Sequence, residues 1–406
     1  MAAPTLAALT GAARPPARVA ERRRALPDIQ FDVGDFIGPA ATVDGVVVRF
    51  PPVYSSFVTV ALTRRPTARD RERFAAALAG LERRFPFAPR GVLTLIGYGR
   101  PYFDRLPNAL VRSSVPRLRG DGARSAFEEA IPGPTDPGDV TIERNDMVLV
   151  LRSDSEAQLA AAQRALVLPG LMRVTSRRLQ FVQPGLPRKV ADAHGLPFAG
   201  AIDPRSPLWM GFADQQVGGS GPPAIVTFAG NASARETTAR RGDYFDHGSV
   251  LHLSHLIEDL ERFYAQPPAE RVAAVFRSNP APAPRVYVEN TFTDAGDAER
   301  EVAASGRVGH LAAVQRTSRA GDGTPLHIRL DGAGFDALDV VDGVPRPKLH
   351  FAMLVPSADR FARLRRRQGE LPVERNGIEP FVRATRRQNF LVPPRRHRVF
   401  PLSELR

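Results

Sequence analysis

The sequence carries the same succession of strand and helix patterns twice, and this repetition constrains the fold more than any other feature. In the first half the order is strand, helix, strand, strand, helix, strand. These patterns cover residues 46–63, 67–85, 92–98, 146–152, 155–166 and 173–182. Such a split β-α-β arrangement is typical of a ferredoxin-like domain, in which antiparallel strands carry helices on one face.

The second half repeats the plan after a Pro- and Gly-rich stretch. Strand patterns are expected at 225–228, 249–256, 326–330, 349–355 and 390–392, with His310 at the start of a further strand segment, 310–315. Helix patterns end near Tyr264 and cover 357–367. The predicted fold class is therefore α+β, with two ferredoxin-like domains in one chain. The predicted boundaries are a disordered leader or export-signal remnant at 1–27, domains at 28–183 and 208–406, and a linker at 184–207.

The composition excludes several classes of protein. The chain has no cysteine, which excludes a disulfide scaffold, zinc fingers, thiolate catalysis, iron–sulfur clusters and Cys-ligated heme. No apolar run approaches the roughly 18 to 20 residues of a spanning helix, so no membrane span is predicted. Walker, GxGxxG, HExxH and nucleophile-elbow motifs are also missing, which argues against nucleotide-dependent enzymes and serine hydrolases.

The positive charge does not indicate a nucleic-acid partner. The net charge is +13, and all of the 56 basic residues except Lys189 and Lys348 are arginine. These arginines are scattered along the chain, whereas nucleic-acid binders concentrate basic residues on one element among stacking aromatics. Aromatic residues make up only 7% of the chain, with a single Trp. We therefore predict no nucleic-acid binding, and the charge suits a small anionic partner equally well.

The histidines offer one local candidate for a metal site. His247, His252 and His255 lie close together in the sequence, beside Asp243 and Asp246. On a helix, His252 and His255 would share a face and could chelate a metal. On a strand they would point to opposite faces, and the surrounding apolar residues favour a strand. Ordinary hydrogen bonding of buried histidines is then the default interpretation, and a non-heme metal site on these three residues is the alternative.

Two further segments hold groups that could carry out chemistry. Asp214, in the segment 209–215 (WMGFADQ), has Gly and apolar neighbours, which suits either a buried acid of raised pKa or the cap of a turn. Farther along, His310 and Arg329 lie on either side of a loop. A returning strand could place both of them around one pocket.

Together these segments resemble the dye-decolorising peroxidase superfamily, heme enzymes with two ferredoxin-like domains (a dimeric α+β barrel) in one chain. The family's GxxDG motif matches Gly211 to Asp214, with Gln215 in place of the last Gly. The order and spacing of the family's proximal His and distal Arg are similar to His310 and Arg329, nineteen residues apart. Further similarities are Gly248-Ser249, Asp259-Leu260, the Gly332–Phe335 pattern and the closing segment 389–394. The match is clearest over residues 205–400.

The resemblance implies a heme-dependent peroxidase that reduces hydrogen peroxide and oxidises a broad range of small-molecule electron donors. His310 would ligate the iron of heme b, with a neighbouring carboxylate from Glu370, Glu374 or Glu379. On the other side, Asp214 would move a proton between the peroxide oxygens, and Arg329 would stabilise developing charge and offset the heme carboxylates. His255 would lie near the cofactor edge, at a position where the family usually has Arg.

Gln215 and His255 depart from the family pattern and motivate a second reading. In that reading the chain is a non-catalytic or heme-free relative that binds a porphyrin or another acidic small molecule. Members of the superfamily often form homo-oligomers, and the resemblance extends that expectation to this chain. The branch it resembles is often exported by twin-arginine signals. Export to the periplasm or the extracellular space is therefore expected if such a signal lies upstream, and a cytoplasmic location otherwise.

Overall fold

The strands of the protein close into a barrel, as seen in a computed structural model that describes residues 26–31, 40–213, 223–230, 236–276, 286–287, 296–319, 325–340, 345–371 and 376–405. The strands are β1 Ala40–Val43, β2 Val46–Arg49, β3 Tyr54–Leu62, β4 Leu93–Tyr98, β5 Thr141–Ile142, β6 Met147–Ser153, β7 Met172–Phe181, β8 Ser249–Glu258, β9 Ile328–Arg329, β10 Gly332–Gly334, β11 Lys348–Val355 and β12 Val382–Val392. The helices are α1 Ala68–Arg84, α2 Arg100–Asp104, α3 Asn108–Ser114, α4 Glu156–Leu166, α5 Leu186–Ala193, α6 Leu260–Tyr264, α7 Pro268–Val275, α8 Asp297–Ser305, α9 His310–Ser318 and α10 Ala358–Gln368.

The strand order confirms the predicted pair of ferredoxin-like halves. In the first half the order across the sheet is β7-β3-β6-β4, and in the second it is β12-β8-β11-β10. In both halves the fourth strand therefore lies beside the first, followed by the third and the second. The halves join where Leu391 pairs with Tyr98, and where β10 pairs with both β7 and β11. These pairings close the sheet.

Closure divides the apolar residues into two sets, because alternate side chains of a strand point to opposite faces. One cluster contains Leu251 and Leu253 of β8 with Ala352 and Leu354 of β11, and fills the interior. The other cluster lies outside the strands, under the helices. Helix α1 belongs to this outer layer and follows its sequence signal, since Thr67 and Asp70 form a capping box at its start.

Several element predictions are wrong in detail. Residues 310–315 were expected to be a strand, but they open the helix α9, because Leu311, Ala312 and Ala313 are strong helix formers. Residues 223–226 form a 3-10 helix where a strand at 225–228 was expected. The last strand begins at Val382 rather than near 390, since polar residues in its first half conceal the apolar pattern.

Two further boundary predictions concern the linker at 184–207 and the leader at 1–27. Helix α5 lies in the predicted linker, and its Leu186 and Val190 are buried in the outer core. The predicted leader, 1–27, lies outside the described residues except for its last two. Within the described part of the chain, no helix combines the length and apolar character needed to cross a bilayer.

One end of the barrel interior holds a compact ionic cluster. The carboxylate of Asp336 accepts hydrogen bonds from Lys348 Nζ at 3.2 Å and His350 Nε2 at 2.7 Å. Lys348 and His350 are fully buried. Burial lowers the pKa of His350, so its imidazole is neutral at neutral pH. Burial alone would raise the pKa of Asp336, but the His350 hydrogen bond and the Lys348 charge bring it well below its usual range.

We expect Asp336→Ala to destabilise the protein by about 3–5 kcal/mol, because it leaves the buried Lys348 ammonium without its counter-charge. The free energy of unfolding in urea measures this loss. Asp139→Ala is the control, since Asp139 is 69% exposed in its pair with Arg383, and we expect a cost of about 1 kcal/mol or less. Equal costs for the two variants would show that the interior cluster does not stabilise the fold.

Candidate active site

A cleft between the outer face of the barrel and helix α9 contains two of the predicted site residues, His310 and Arg329. Two adjoining cavities meet there, and His310 of α9 and Arg329 of β9 line both of them. Other residues that line both cavities are Val314, Ser318, Asp331, Leu349 and Ile378. The structure thus brings His310 and Arg329 together around one cleft.

His310 is fixed by its position as the first residue of α9. The backbone N–H of the preceding Gly309 donates to Glu301 Oε2 at 2.8 Å. Gly377 packs against the other side of the His310 backbone. Its φ is +53°, and a Cβ atom there would lie 2.5 Å from the His310 nitrogen and 2.6 Å from its Cα. Only glycine allows this approach, which holds the start of the helix against the chain near 377.

Arg329 and Asp331 come from the barrel side of the cleft. Ile328 points into the barrel core, so its neighbour Arg329, which pairs with Met353, faces outward. Arg329 Nε lies 4.0 Å from Asp331 Oδ1, and the two side chains are only 12% and 10% exposed. A guanidinium and a carboxylate therefore face the cleft side by side.

The segment that leads to Asp214 is anchored at the rim of the cleft. Trp209 Nε1 donates to the Gly334 carbonyl at 3.2 Å, and the Tyr264 hydroxyl donates to the Trp209 carbonyl at 2.6 Å. The N–H of Ala213 donates to the Val286 carbonyl at 2.9 Å. Trp209 and Ala213 line the cleft. Asp214 and Gln215 themselves lie outside the described residues.

Glu379 is the carboxylate that shares the cleft with His310. The Arg365 guanidinium donates to both of its oxygens, at 2.9 and 3.0 Å. Burial alone would raise the pKa of Glu379, but Arg365, with a smaller contribution from His310, lowers it below the usual value. Of the other two predicted candidates, Glu370 is 62% exposed and pairs with Arg316. Glu374 lies outside the described residues.

The sequence prediction missed three polar residues that line this cleft: Asp331, His327 and Glu258. His327 is buried, and burial followed by the nearby Arg329 charge lowers its pKa to about 3. Glu258 ends β8 on the same face as Leu256, which also lines the cleft. The strand alternation from His252 onward carried part of this signal, since it places Glu258 on the same face as His252 and opposite to His255.

The structure corrects the prediction for His255. It lies on the interior face of β8, where its Nδ1 is 3.0 Å from Asp339 Oδ2, and it is not among the residues that line the cleft. A cofactor in the cleft would therefore not contact it. The prediction was wrong because His255 is an odd-numbered residue of β8. The odd-numbered residues of this strand, such as Leu251 and Leu253, point into the barrel and away from the cleft.

The alternative of a metal site on His247, His252 and His255 is also wrong. His252 faces outward, stacks on Phe361 with ring centroids 3.5 Å apart, and bonds Asn389 Oδ1 at 2.7 Å. His247 Nδ1 lies 2.9 Å from Asp246 Oδ1. The three imidazoles are thus directed to three different surroundings, as the strand interpretation of residues 249–256 required.

Comparison with known sequences yields one family match. The model of a family of unknown function (DUF7405) matches residues 52–394, which is most of the chain. A search of curated protein sequences finds no match to this chain.

Solved structures show a clear likeness to dye-decolorising peroxidases. DypB from Rhodococcus jostii RHA1 in crystal form 2 is 16% identical, with a TM-score of 0.56 over 86% of this chain and 94% of that chain. A DypB variant in complex with heme is 15% identical, with a TM-score of 0.55 over 86% of this chain and 95% of that chain. A dye-decolorizing protein from V. cholerae is 12% identical, with a TM-score of 0.54 over 86% of this chain and 97% of that chain. The predicted resemblance is therefore confirmed for the fold.

We expect Gly377→Ala to displace the start of α9, because the added Cβ would overlap the His310 backbone. The NMR signal of the His310 imidazole should shift, and the free energy of unfolding should fall by several kcal/mol. Gly195→Ala is the matched control, since Gly195 has a φ of +62° with open space around its would-be Cβ. This control tests backbone strain alone, about 1–2 kcal/mol. An unchanged His310 signal in Gly377→Ala would contradict the positioning role.

Proposed function

This chain belongs to the family of unknown function DUF7405, and we propose that it is a heme-dependent peroxidase of the dye-decolorising type. It would reduce hydrogen peroxide and oxidise small-molecule electron donors. The observation that supports this most is the cleft in which His310 and Arg329 come together from opposite sides. The peroxidase fold of the neighbouring structures, one of them a complex with heme, is a second support.

The residues of the cleft fit a heme group. An imidazole is the usual protein ligand of peroxidase heme iron, and His310 faces the cleft from α9. Flat apolar walls suit the macrocycle, and the lining supplies Trp209, Leu349 and Ile378. Arg329, which lines both cavities, is a cation that could offset a heme carboxylate. A bound heme would supply the electron exchange with peroxide and with the donor.

The groups near His310 are suited to hold its ring as an iron ligand. Glu379 stays ionised because Arg365 lowers its pKa, and a carboxylate beside a ligating imidazole orients the ring and raises its basicity. Glu379 is itself held by Thr135 and Gln368, whose side chains donate to it at 3.3 and 3.1 Å. Glu379 would therefore be a fixed, ionised carboxylate on the His310 side of the cleft.

Across the cleft, the chain's own residues would handle peroxide. Arg329 would donate hydrogen bonds to the peroxide oxygens and stabilise the negative charge that develops as the O–O bond breaks. Asp214 would take the proton of one oxygen and return it to the other, which is general acid–base work. Buried apolar neighbours such as Trp209 would exclude bulk water and strengthen these interactions.

A non-catalytic binding protein of the same fold is the rival function, motivated by Gln215 in place of the motif glycine. Both functions predict occupancy of the cleft, and only the peroxidase predicts turnover with peroxide. The two are separated by measuring heme binding and peroxide reactivity on the same sample.

We expect protein produced with added heme precursor to show a Soret absorption band that changes position in His310→Ala, because that variant removes the iron ligand. The absorption spectrum of the purified protein is the measurement. His247→Ala is the control, since His247 is 39% exposed and lies outside the cleft. A band that is identical in wild type and His310→Ala would exclude His310 as the ligand.

We expect Asp214→Asn and Arg329→Leu to slow the reaction with peroxide by about 10²–10⁴-fold each, with heme still bound. Stopped-flow absorption after mixing with hydrogen peroxide measures the rate. If the wild type and both variants reacted with peroxide at the same rate, the result would favour a binding protein over a peroxidase.

A further inference from the structure

Glu258 is an acid in the cleft that the proposed mechanism does not use. It is the last residue of β8, and its backbone N–H donates to the Pro347 carbonyl at 3.0 Å. The residue is only 7% exposed, and its side chain lines the cleft together with His310 and Arg329. Its Oε2 atom is buried and makes no hydrogen bond within the described part of the chain. A buried polar atom of this kind lacks the hydrogen-bond partner that such atoms ordinarily have.

The surroundings of Glu258 favour its neutral form. Burial raises its pKa to about 8, and no charged neighbour contributes to that shift. The carboxyl group therefore carries its proton at neutral pH. Glu258 differs in this respect from Glu379, because Arg365 lowers the pKa of Glu379.

The charged and titratable groups that line the same cavity come from two other elements. The described ones are His310 on α9 and His327, Arg329 and Asp331 around β9. Tyr264 on α6 does not line the cavity, but burial and the nearby Glu258 both raise its pKa. Burial keeps His327 neutral above pH values near 3. Tyr264 keeps its proton throughout the range in which Glu258 titrates. Titration of Glu258 is therefore expected near pH 8.

We propose that Glu258 is a second proton donor of the reaction, separate from the pair that acts on the O–O bond. The idea rests on the proposed peroxidase function. One peroxide becomes two waters by taking up two electrons from the donor and two protons. Where the donor carries no proton, the protein must supply both. Glu258 gives one of them: its O–H bond breaks, an O–H bond of product water forms, and the carboxylate then regains a proton from solvent.

Two features set Glu258 apart from other acids of the cleft. Asp331 lies beside the Arg329 guanidinium, so it already has a cation as its neighbour, and Glu379 lies on the His310 side, where Arg365 lowers its pKa. Glu379 therefore holds no proton to give at neutral pH. Glu258 combines a proton with an unbonded, buried oxygen at the cavity wall.

The protonation of Glu258 is tested without heme or peroxide. Infrared difference spectra of the heme-free chain between pH 7 and pH 10 should show loss of a carboxylic acid carbonyl band. The band should be missing in Glu258→Gln and retained in Glu261→Gln, a matched change at an exposed glutamate three residues away. A spectrum that is the same in wild type and Glu258→Gln would overturn the proposal, because the side chain would then be ionised at pH 7.

The catalytic role is tested on the heme-loaded protein with two donors. Ferrocyanide gives an electron and no proton, whereas a phenol brings its own proton. In the wild type, ferrocyanide oxidation should fall as the pH rises through about 8, because Glu258 loses its proton there. Glu258→Gln should lower the rate at pH 7 by roughly tenfold or more and remove that pH dependence. Phenol oxidation should change much less.

The outcomes separate the two proposals. Wild-type protein that binds no heme, or that does not turn over peroxide, overturns the proposed function and the role of Glu258 with it. Wild-type protein that turns over, with the same ferrocyanide rate and pH profile in Glu258→Gln, overturns only the role of Glu258. A Glu261→Gln variant that behaves as Glu258→Gln does would also overturn it, since the effect would then come from surface charge.

Discussion

Each strand of a closed barrel has one side chain inside and the next outside, and the placement of every candidate group depends on this alternation. On β8 it turns His255 into the interior and Glu258 out to the cleft, although only three residues separate them. The same rule turns Arg329 outward while Ile328 fills the core. A shift of one residue in the pairing of β8 or β9 would exchange these environments. The pairing of β10 with both β7 and β11 closes the barrel at the strands next to the cleft.

Burial of acidic side chains has opposite consequences on the inner and outer faces of the barrel. Inside the barrel, Asp336 has Lys348 as its cation, so the buried charges offset one another. In the cleft, burial leaves Glu258 without compensation and raises its pKa to about 8. A glutamate of ordinary pKa must take up a proton to enter such a site, which costs about 3 kcal/mol of stability at pH 7. An apolar residue in that position would avoid this cost. Perturbed acids of this kind cluster at functional sites.

Sequence patterns predict what depends on local periodicity. The helix at 67–85 and the strand at 249–256 follow from spacing and capping alone, and the repeated order of elements gives the two ferredoxin-like halves. His310 was assigned to a strand because a short apolar run does not distinguish strand from helix. The joining of the two halves through Leu391 and Tyr98 depends on contacts between distant strands. No local pattern reports such contacts, so the side of the barrel on which His255 lies could not be read from its neighbours.

Fold alone does not decide between a peroxidase and a binding protein, since one fold serves many functions. The distinction depends on which groups in the cleft remain reactive. A binding site needs cations and apolar walls, and Arg329 and Trp209 supply both. A binding site does not need a buried carboxylic acid with an unbonded oxygen. Such an acid disfavours the binding of an anion as soon as the acid loses its proton. Glu258 is such a group, and proton transfer is the chemistry that its combination of burial and an available proton can perform. The presence of this acid on the wall shared with His310 and Arg329 therefore favours chemistry over storage.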